Sequence, residues 1–106
     1  MSYTTYMQQS IFGPAGMTST GLDDVFAIIS HRARGYSIDK DGRLQNATLL
    51  DIGNKPPGSG INSTARDLGL FTVALYGGKL VTPATWNQMI TPPKTRDGKP
   101  TIYGYG

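Results

Sequence analysis

The stretch from Ser63 to Gly78 constrains the fold more than any other part of the chain. Three apolar side chains recur along it at helical spacing: Leu68, Phe71 and Leu75. Ser63 suits the start of a helix because its hydroxyl can accept a hydrogen bond from a free backbone N–H, and Gly77-Gly78 suits the end. We therefore predict a helix over residues 64–76 whose apolar face has to pack against other elements.

The other elements are predicted from local patterns of the same kind. A second helix over residues 83–90 begins after Thr82, because Pro83 fits the first helical turn. The further expected elements are a helix over 3–12, a helix or short strand over 23–30 with the helix favoured, a β-hairpin over 34–49 and the start of a strand over 102–106. Residues 1–106 are thus predicted to form a single partial domain of the α+β class, mainly helical, with one short β-hairpin.

Composition limits both the size of the core and the kinds of function. Hydrophobic residues make up 38% of 106 residues, with 14 Gly and 7 Pro, so we expect a small core and many turns. The chain has no cysteine, which excludes disulfides and thiol catalysis. The net charge of +3 comes from dispersed basic residues, so we expect no nucleic-acid partner. Without an apolar run of about 20 residues we expect no membrane span, and with one histidine we expect no metal site and no cofactor.

One tetrapeptide matches a catalytic pattern, and we interpret it as a coincidence. Ser37-Ile38-Asp39-Lys40 has the spacing S-x-x-K, which activates a serine when a helix places the lysine one turn further on. Here the tetrapeptide runs into Asp41-Gly42, a strong hairpin signal, and residues three apart on a strand face opposite sides. His31, the one histidine, gives no basis for a catalytic triad. We therefore expect no catalytic residue, with Ser37 and Lys40 as weak candidates.

Five segments in order resemble a known family. They are residues 11–21, 34–42, 58–68, 79–89 and 103–106. The third ends in Ser63-Thr64-Ala65-Arg66-Asp67-Leu68, which resembles the pattern S-T-A-x-D-L, and the fourth contains Pro83-Ala84-Thr85, which resembles S-P-A-T without its serine. Together they resemble the superfamily of class C β-lactamases, penicillin-binding proteins and esterases.

The resemblance implies that the chain is an internal fragment of the helical lobe of that fold. The family's S-x-x-K and Tyr-x-Asn motifs would lie before residue 1, and its Lys-Thr-Gly or His-x-Gly strand after residue 106. The fragment would then be inactive alone, while its parent would hydrolyse a small acyl substrate, namely a β-lactam, a peptide-like amide or an ester. The resemblance also places Ser59, Gly60 and Ile61 on the wall of the acyl side-chain pocket.

Three other expectations stay open at this point. Helices 64–76 and 83–90 could form a small interaction or DNA-binding module, although the second helix carries no Arg or Lys for phosphate contact. A stand-alone hydrolase using Ser37 and Lys40 is a further alternative. An exposed apolar helix face would favour a homo-oligomer, through these side chains: Leu68, Phe71, Leu75, Trp86 and Met89. The sequence indicates no cellular compartment.

Overall fold

The computed structural model describes residues 1–48 and 58–105 of an α+β chain. The elements in chain order are α1 (Tyr3–Met7), a π-helical segment (Gln8–Phe12), α2 (Gly13–Ala15), β1 (Gly21–Leu22), β2 (Tyr36–Ile38), β3 (Leu44–Asn46), β4 (Ile61–Asn62), α3 (Ala65–Tyr76) and α4 (Pro83–Ile90). They belong to two compact units, one of Met1–Gly21 with Ser63–Gly106 and one of Leu22–Asn62. Non-helical residues outnumber helical ones in the described parts, so "mainly helical" overstates the helix content.

The N-terminal helical segment is longer and less regular than the sequence predicts. Ser2 caps it, with its side chain accepting from the Thr5 N–H. The helix was expected to end at residue 12, but a π-helical turn carries it on to Ala15. In that turn the Gly13 N–H reaches back five residues to the Gln8 carbonyl. Gly16, at a φ of 76°, then ends the helix in the left-handed conformation that glycine adopts readily.

Helices α3 and α4 lie close to their predicted positions, and the cap of α3 differs by one residue. Thr64, not Ser63, is the N-cap, because Thr64 is the last extended residue and its side chain accepts from the Asp67 N–H. Thr82 caps α4 in the same way, accepting from the Thr85 N–H, with Pro83 in the first turn. The hydroxyl of Ser63 is thereby free for the contact described below.

The core of the first unit is small, as the composition predicts. Its buried apolar residues are Phe12, Ala15, Met17 and Ala74. Five half-buried side chains pack around them: Met7, Ile11, Leu70, Phe71 and Leu80. Phe71 therefore faces the core as expected, whereas Leu68 is 56% exposed. Helices α3 and α4 also meet through Tyr76 and Trp86, whose rings pack edge to face with centroids 4.9 Å apart.

The segment after α4 folds back onto the end of that helix without forming the strand predicted over 102–106. Residues 102–105 have no strand pairing, and Gly106 lies outside the described residues. The Tyr105 N–H instead donates to the Met89 carbonyl at 2.9 Å. Gly104 lies so close to the helix that a Cβ built on it would be 2.2 Å from the same carbonyl oxygen. This close approach explains why a glycine stands there.

In the second unit, β2 and β3 form the expected antiparallel hairpin, within the part of 34–49 that is described; Leu49 lies outside it. The register pairs Tyr36 with Asn46, Ser37 with Gln45 and Ile38 with Leu44. Gly42 has a φ of 80°, as the Asp-Gly signal requires. The second two-stranded sheet pairs β1 with β4.

The helix favoured over 23–30 is wrong. The segment is a series of turns, because the Asp24 carboxylate accepts from the Phe26 N–H at 2.8 Å and so captures a donor that a helix would use. The apolar side chains that suggested a buried helix are outside: Phe26 is 90% exposed and Ile28 is fully exposed. Within residues 1–48 and 58–105, no helix has the length and apolar character needed to cross a membrane.

Candidate functional site

The three residues expected to border a substrate lie where β4 begins. Ser59 is half-buried, Gly60 is buried and Ile61 is 41% exposed. Gly60 adopts a φ of 84°, which strongly favours glycine, and its carbonyl accepts from the Asp23 N–H at 2.7 Å. The backbone of Gly60 is therefore fixed, and the Ile61 side chain beside it is accessible.

Asp23 also organises its own surroundings in the second unit. Its carboxylate pairs with the Arg32 guanidinium at 2.8 Å, and Arg32 donates a further hydrogen bond to the Asp24 carbonyl at 3.2 Å. The side-chain amide of Asn62 donates to the Leu22 carbonyl and to Asp23, both at 3.4 Å. Arg32 therefore holds the Asp23 side chain, and Asn62 of β4 contacts Leu22 of β1 beside the hydrogen bond between Asp23 and Gly60.

A second polar cluster lies in the first unit around Asp67, at the start of α3. Asp67 is only 1% exposed, and one carboxylate oxygen, Oδ2, accepts both from the Ser19 N–H and from the Thr20 hydroxyl, each at 2.7 Å. The Thr20 and Ser63 hydroxyl oxygens are 2.8 Å apart. Because Thr20 uses its single hydroxyl hydrogen on Asp67, Ser63 is the donor in that contact. We call these four residues, Ser19, Thr20, Ser63 and Asp67, the Asp67 cluster.

Sequence reasoning missed this cluster. It assigned Ser63 the helix cap and named Asp67 only as part of the pattern S-T-A-x-D-L. One signal was available: an acidic residue three positions after the capping threonine often turns back to the segment that precedes the helix. Its partners, 47 and 48 residues away, could not be identified from local pattern.

Ser37 and Lys40 are placed on the hairpin. Ser37 is in β2 opposite Gln45, and Lys40 is exposed in the turn that follows. Among the hydrogen bonds of the described residues, none joins the two side chains. The helical geometry that gives the S-x-x-K spacing its chemistry is therefore missing here.

Two further ionisable groups of the described residues, His31 and Asp97, lie at the surface. His31 is exposed, in a turn with a φ of 58°. In the loop after α4, the hydroxyl of Thr95 donates to Asp97, and this bond, with help from Lys99, lowers the pKa of the exposed Asp97 carboxyl. A groove of about 460 Å³ in the second unit is lined by apolar side chains with Arg32, Arg34, Asn46 and Thr48, and by no serine, histidine or acidic residue of the described ranges.

Comparison with known proteins assigns the family. The family model Beta-lactamase matches residues 1–106. Beta-lactamase-like protein 4 of Dictyostelium discoideum is 32% identical over 75 residues, covering 71% of this chain and 13% of its own. The chain belongs to the Beta-lactamase family, which confirms the resemblance of the five segments.

Solved structures show the same fold. The penicillin binding protein of Bacillus halodurans superposes with a TM-score of 0.73 at 22% identity, over 99% of this chain and 32% of that one. An octameric penicillin-binding protein homologue from Pyrococcus abyssi has a TM-score of 0.73 at 23% identity, over 99% of this chain and 24% of its own.

The chain matches only part of each relative. Two Bacillus subtilis (strain 168) proteins that carry the name penicillin-binding protein are each 29% identical to it, and it spans 25% and 26% of their lengths. Residues 1–106 are therefore about a quarter as long as those curated relatives.

Proposed function

We propose that residues 1–106 form a non-catalytic part of a serine hydrolase of the Beta-lactamase family, and that the nucleophile and its base lie outside these residues. The whole hydrolase would act on a small acyl substrate, namely a β-lactam, a peptide-like amide or an ester. The fragment contributes part of the helical lobe and one wall of the site.

The observation that carries this proposal is the position of Ser37 and Lys40. They hold the chain's only S-x-x-K spacing, and a family match over residues 1–106 would make them the first candidates for a nucleophile and a base. Their place on a hairpin and its turn supports a coincidental spacing, since the lysine is not one helical turn beyond the serine. A nucleophile outside residues 1–106 agrees with the small share of the relatives that the chain spans.

The contribution to substrate binding rests on Ser59, Gly60 and Ile61. The fixed backbone of Gly60 and the accessible Ile61 side chain suit an apolar wall that meets the acyl group of a substrate. Ser59, which is half-buried, would offer a hydroxyl to the same substrate.

The experiment is a segment replacement in a relative of known structure. The part of the Bacillus halodurans penicillin binding protein that superposes on residues 1–106 is exchanged for this sequence, and binding of a fluorescent penicillin is measured. We expect the replaced protein to retain binding. Ile61→Asp should weaken binding, whereas Arg96→Ala, a matched exposed control in the loop after α4, should leave it unchanged.

Two results would overturn the proposal. One is a replaced protein that shows a cooperative thermal transition but binds no penicillin. The other is a replaced protein that does not fold at all, because the segment would then not be an equivalent part of the scaffold.

A second proposal concerns self-association. Three apolar side chains of α3 are well exposed: Leu68 at 56%, Val73 at 71% and Tyr76 at 70%. Of the face expected from sequence, Leu68 is thus exposed, while Phe71, Leu75, Trp86 and Met89 are half-buried. Exposed apolar surface of this kind favours association, and the Pyrococcus abyssi homologue is octameric. We expect the chain to form oligomers through α3; a monomeric mass by light scattering at every concentration would contradict this.

A further inference from the structure

We propose that Asp67 is a positioning residue that keeps the backbone of Gly60 in place. The link to substrate rests on the proposed function, in which Ser59, Gly60 and Ile61 form a wall of the site. The structural part, that Asp67 controls the β1–β4 pairing at Gly60, stands without it.

The Asp67 carboxylate holds two consecutive residues of the segment before β1. It is buried, and its Oδ2 atom accepts two hydrogen bonds of 2.7 Å from consecutive residues, Ser19 and Thr20. The Asp67 N–H is itself held by the Thr64 side chain at 3.1 Å. The start of α3 therefore holds residues 19 and 20 at one fixed point, because charge-assisted bonds are short and directional.

Thr20 and Ser63 flank the β1–β4 strand pair. Thr20 is the residue before β1, and Ser63 is the residue after β4. Their hydroxyl contact of 2.8 Å joins the start of β1 to the end of β4. Holding these ends together sets the register of β1 against β4, and a strand pair this short has few hydrogen bonds of its own to set it.

A hydrogen bond beside the strand pair depends on this register. Asp23 follows β1, and its N–H donates to the Gly60 carbonyl at 2.7 Å. Gly60 is the residue before Ile61, the first residue of β4. The β1–β4 pairing lies between the Thr20–Ser63 contact and this bond, so loss of the contact reaches the bond through that pairing. The carboxylate of Asp67 thus acts on Gly60 through Thr20, Ser63 and the strand pair.

The test is residue-resolved amide hydrogen exchange on the full chain by NMR. The reporter is the Asp23 N–H, and the references are the N–H groups of Ala47, bonded to Gly35, and of Trp86, bonded to Thr82. In Asp67→Ala we expect exchange at Asp23 to rise about 5- to 30-fold while both references stay unchanged. Asp67→Asn should give a smaller rise, because an amide oxygen still accepts both bonds without the charge. Arg96→Ala, an exposed side chain in the loop after α4, is the control and should change none of the three.

Thr20→Val covers the case in which Asp67→Ala unfolds the whole chain. It removes one hydroxyl at nearly constant volume and should raise exchange at Asp23 selectively. No rise at Asp23 in Thr20→Val, or an equal rise at all three amides, overturns the proposal. An Asp23 amide that is unprotected in the unsubstituted chain overturns it too.

The amide exchange rates do not depend on enzymatic activity. They therefore test the structural role of Asp67 even if the segment replacement disproves the proposed function. In a replaced protein that binds penicillin, Asp67→Ala should weaken binding and Asp67→Asn should restore part of it. Unchanged binding together with faster exchange at Asp23 would overturn the link between Asp67 and the substrate wall.

Discussion

The carboxylate of Asp67 accepts a 2.7 Å hydrogen bond from the hydroxyl of Thr20, which lies 47 residues away in the chain. Few contacts in the first unit join such distant residues through a group this deeply buried; Asp67 is 1% exposed. The stability of the start of α3 and of the preceding loop should therefore depend on this one side chain.

Asp67→Ala is expected to lower the free energy of unfolding by about 1–3 kcal/mol, because hydrogen bonds to a buried charged group are lost. Urea unfolding followed by circular dichroism measures the loss. Arg96→Ala provides the control, with an expected change within about 0.5 kcal/mol because the side chain is exposed. Equal effects of the two substitutions would show that burial of Asp67 does not contribute.

Gly104→Ala should detach the tail from the end of α4. The new Cβ would lie 2.2 Å from the Met89 carbonyl oxygen, so the backbone has to move and the bond from the Tyr105 N–H to that carbonyl is lost. We expect a loss of about 1–3 kcal/mol, as for other steric overpacking, and fast amide exchange at Tyr105. Retained protection at Tyr105 would contradict the close approach.

Gly69→Ala is the matched glycine substitution and should have the opposite sign. Gly69 lies inside α3, and a Cβ built there meets no atom within 4 Å. Alanine lowers the entropic cost of the helix, so we expect a gain of about 0.5–1 kcal/mol in the free energy of unfolding. A destabilised Gly69→Ala variant would indicate that this face of α3 is covered, for instance by a second copy of the chain.

The loop after α4 should respond to acid. The Thr95 hydroxyl, followed by Lys99, lowers the pKa of Asp97 from its ordinary value of 3.8. A carboxyl whose pKa is lowered by folding stabilises the fold at pH values above its ordinary pKa, and this contribution is lost as the pH falls through the lowered pKa. We expect the carbon-13 titration of the Asp97 carboxyl to have its midpoint below 3.8 and Thr95→Val to move that midpoint back towards 3.8. An unchanged midpoint in Thr95→Val would contradict the assigned cause.

Local signals predicted the regular elements where capping and turn chemistry decided the outcome. Helix α4 follows from Thr82 and Pro83, and the hairpin follows from Gly42, whose positive φ the turn requires. The prediction failed over 23–30, where apolar spacing suggested a helix. There the Asp24 side chain binds the Phe26 N–H, so a local polar contact prevailed over the apolar pattern.

The candidate site was less accessible to sequence reasoning. Ser59, Gly60 and Ile61 were selected by family resemblance, and the local pattern did not indicate that Asp23 would bind the Gly60 carbonyl. The role of Asp67 depends on Ser19 and Thr20, which only the tertiary fold brings to the start of α3. Such long-range polar contacts leave no periodic signal in a single sequence.

The central claim is that residues 1–106 support a hydrolase without supplying its nucleophile. Intact-protein mass spectrometry tests it most directly, after the purified chain is incubated with a reactive β-lactam and, separately, with a fluorophosphonate. We predict no covalent adduct with either reagent, for the unsubstituted chain and for Ser37→Ala alike. A stable adduct on Ser37, or on any other serine of the chain, would show that these residues contain an activated nucleophile and would contradict the account.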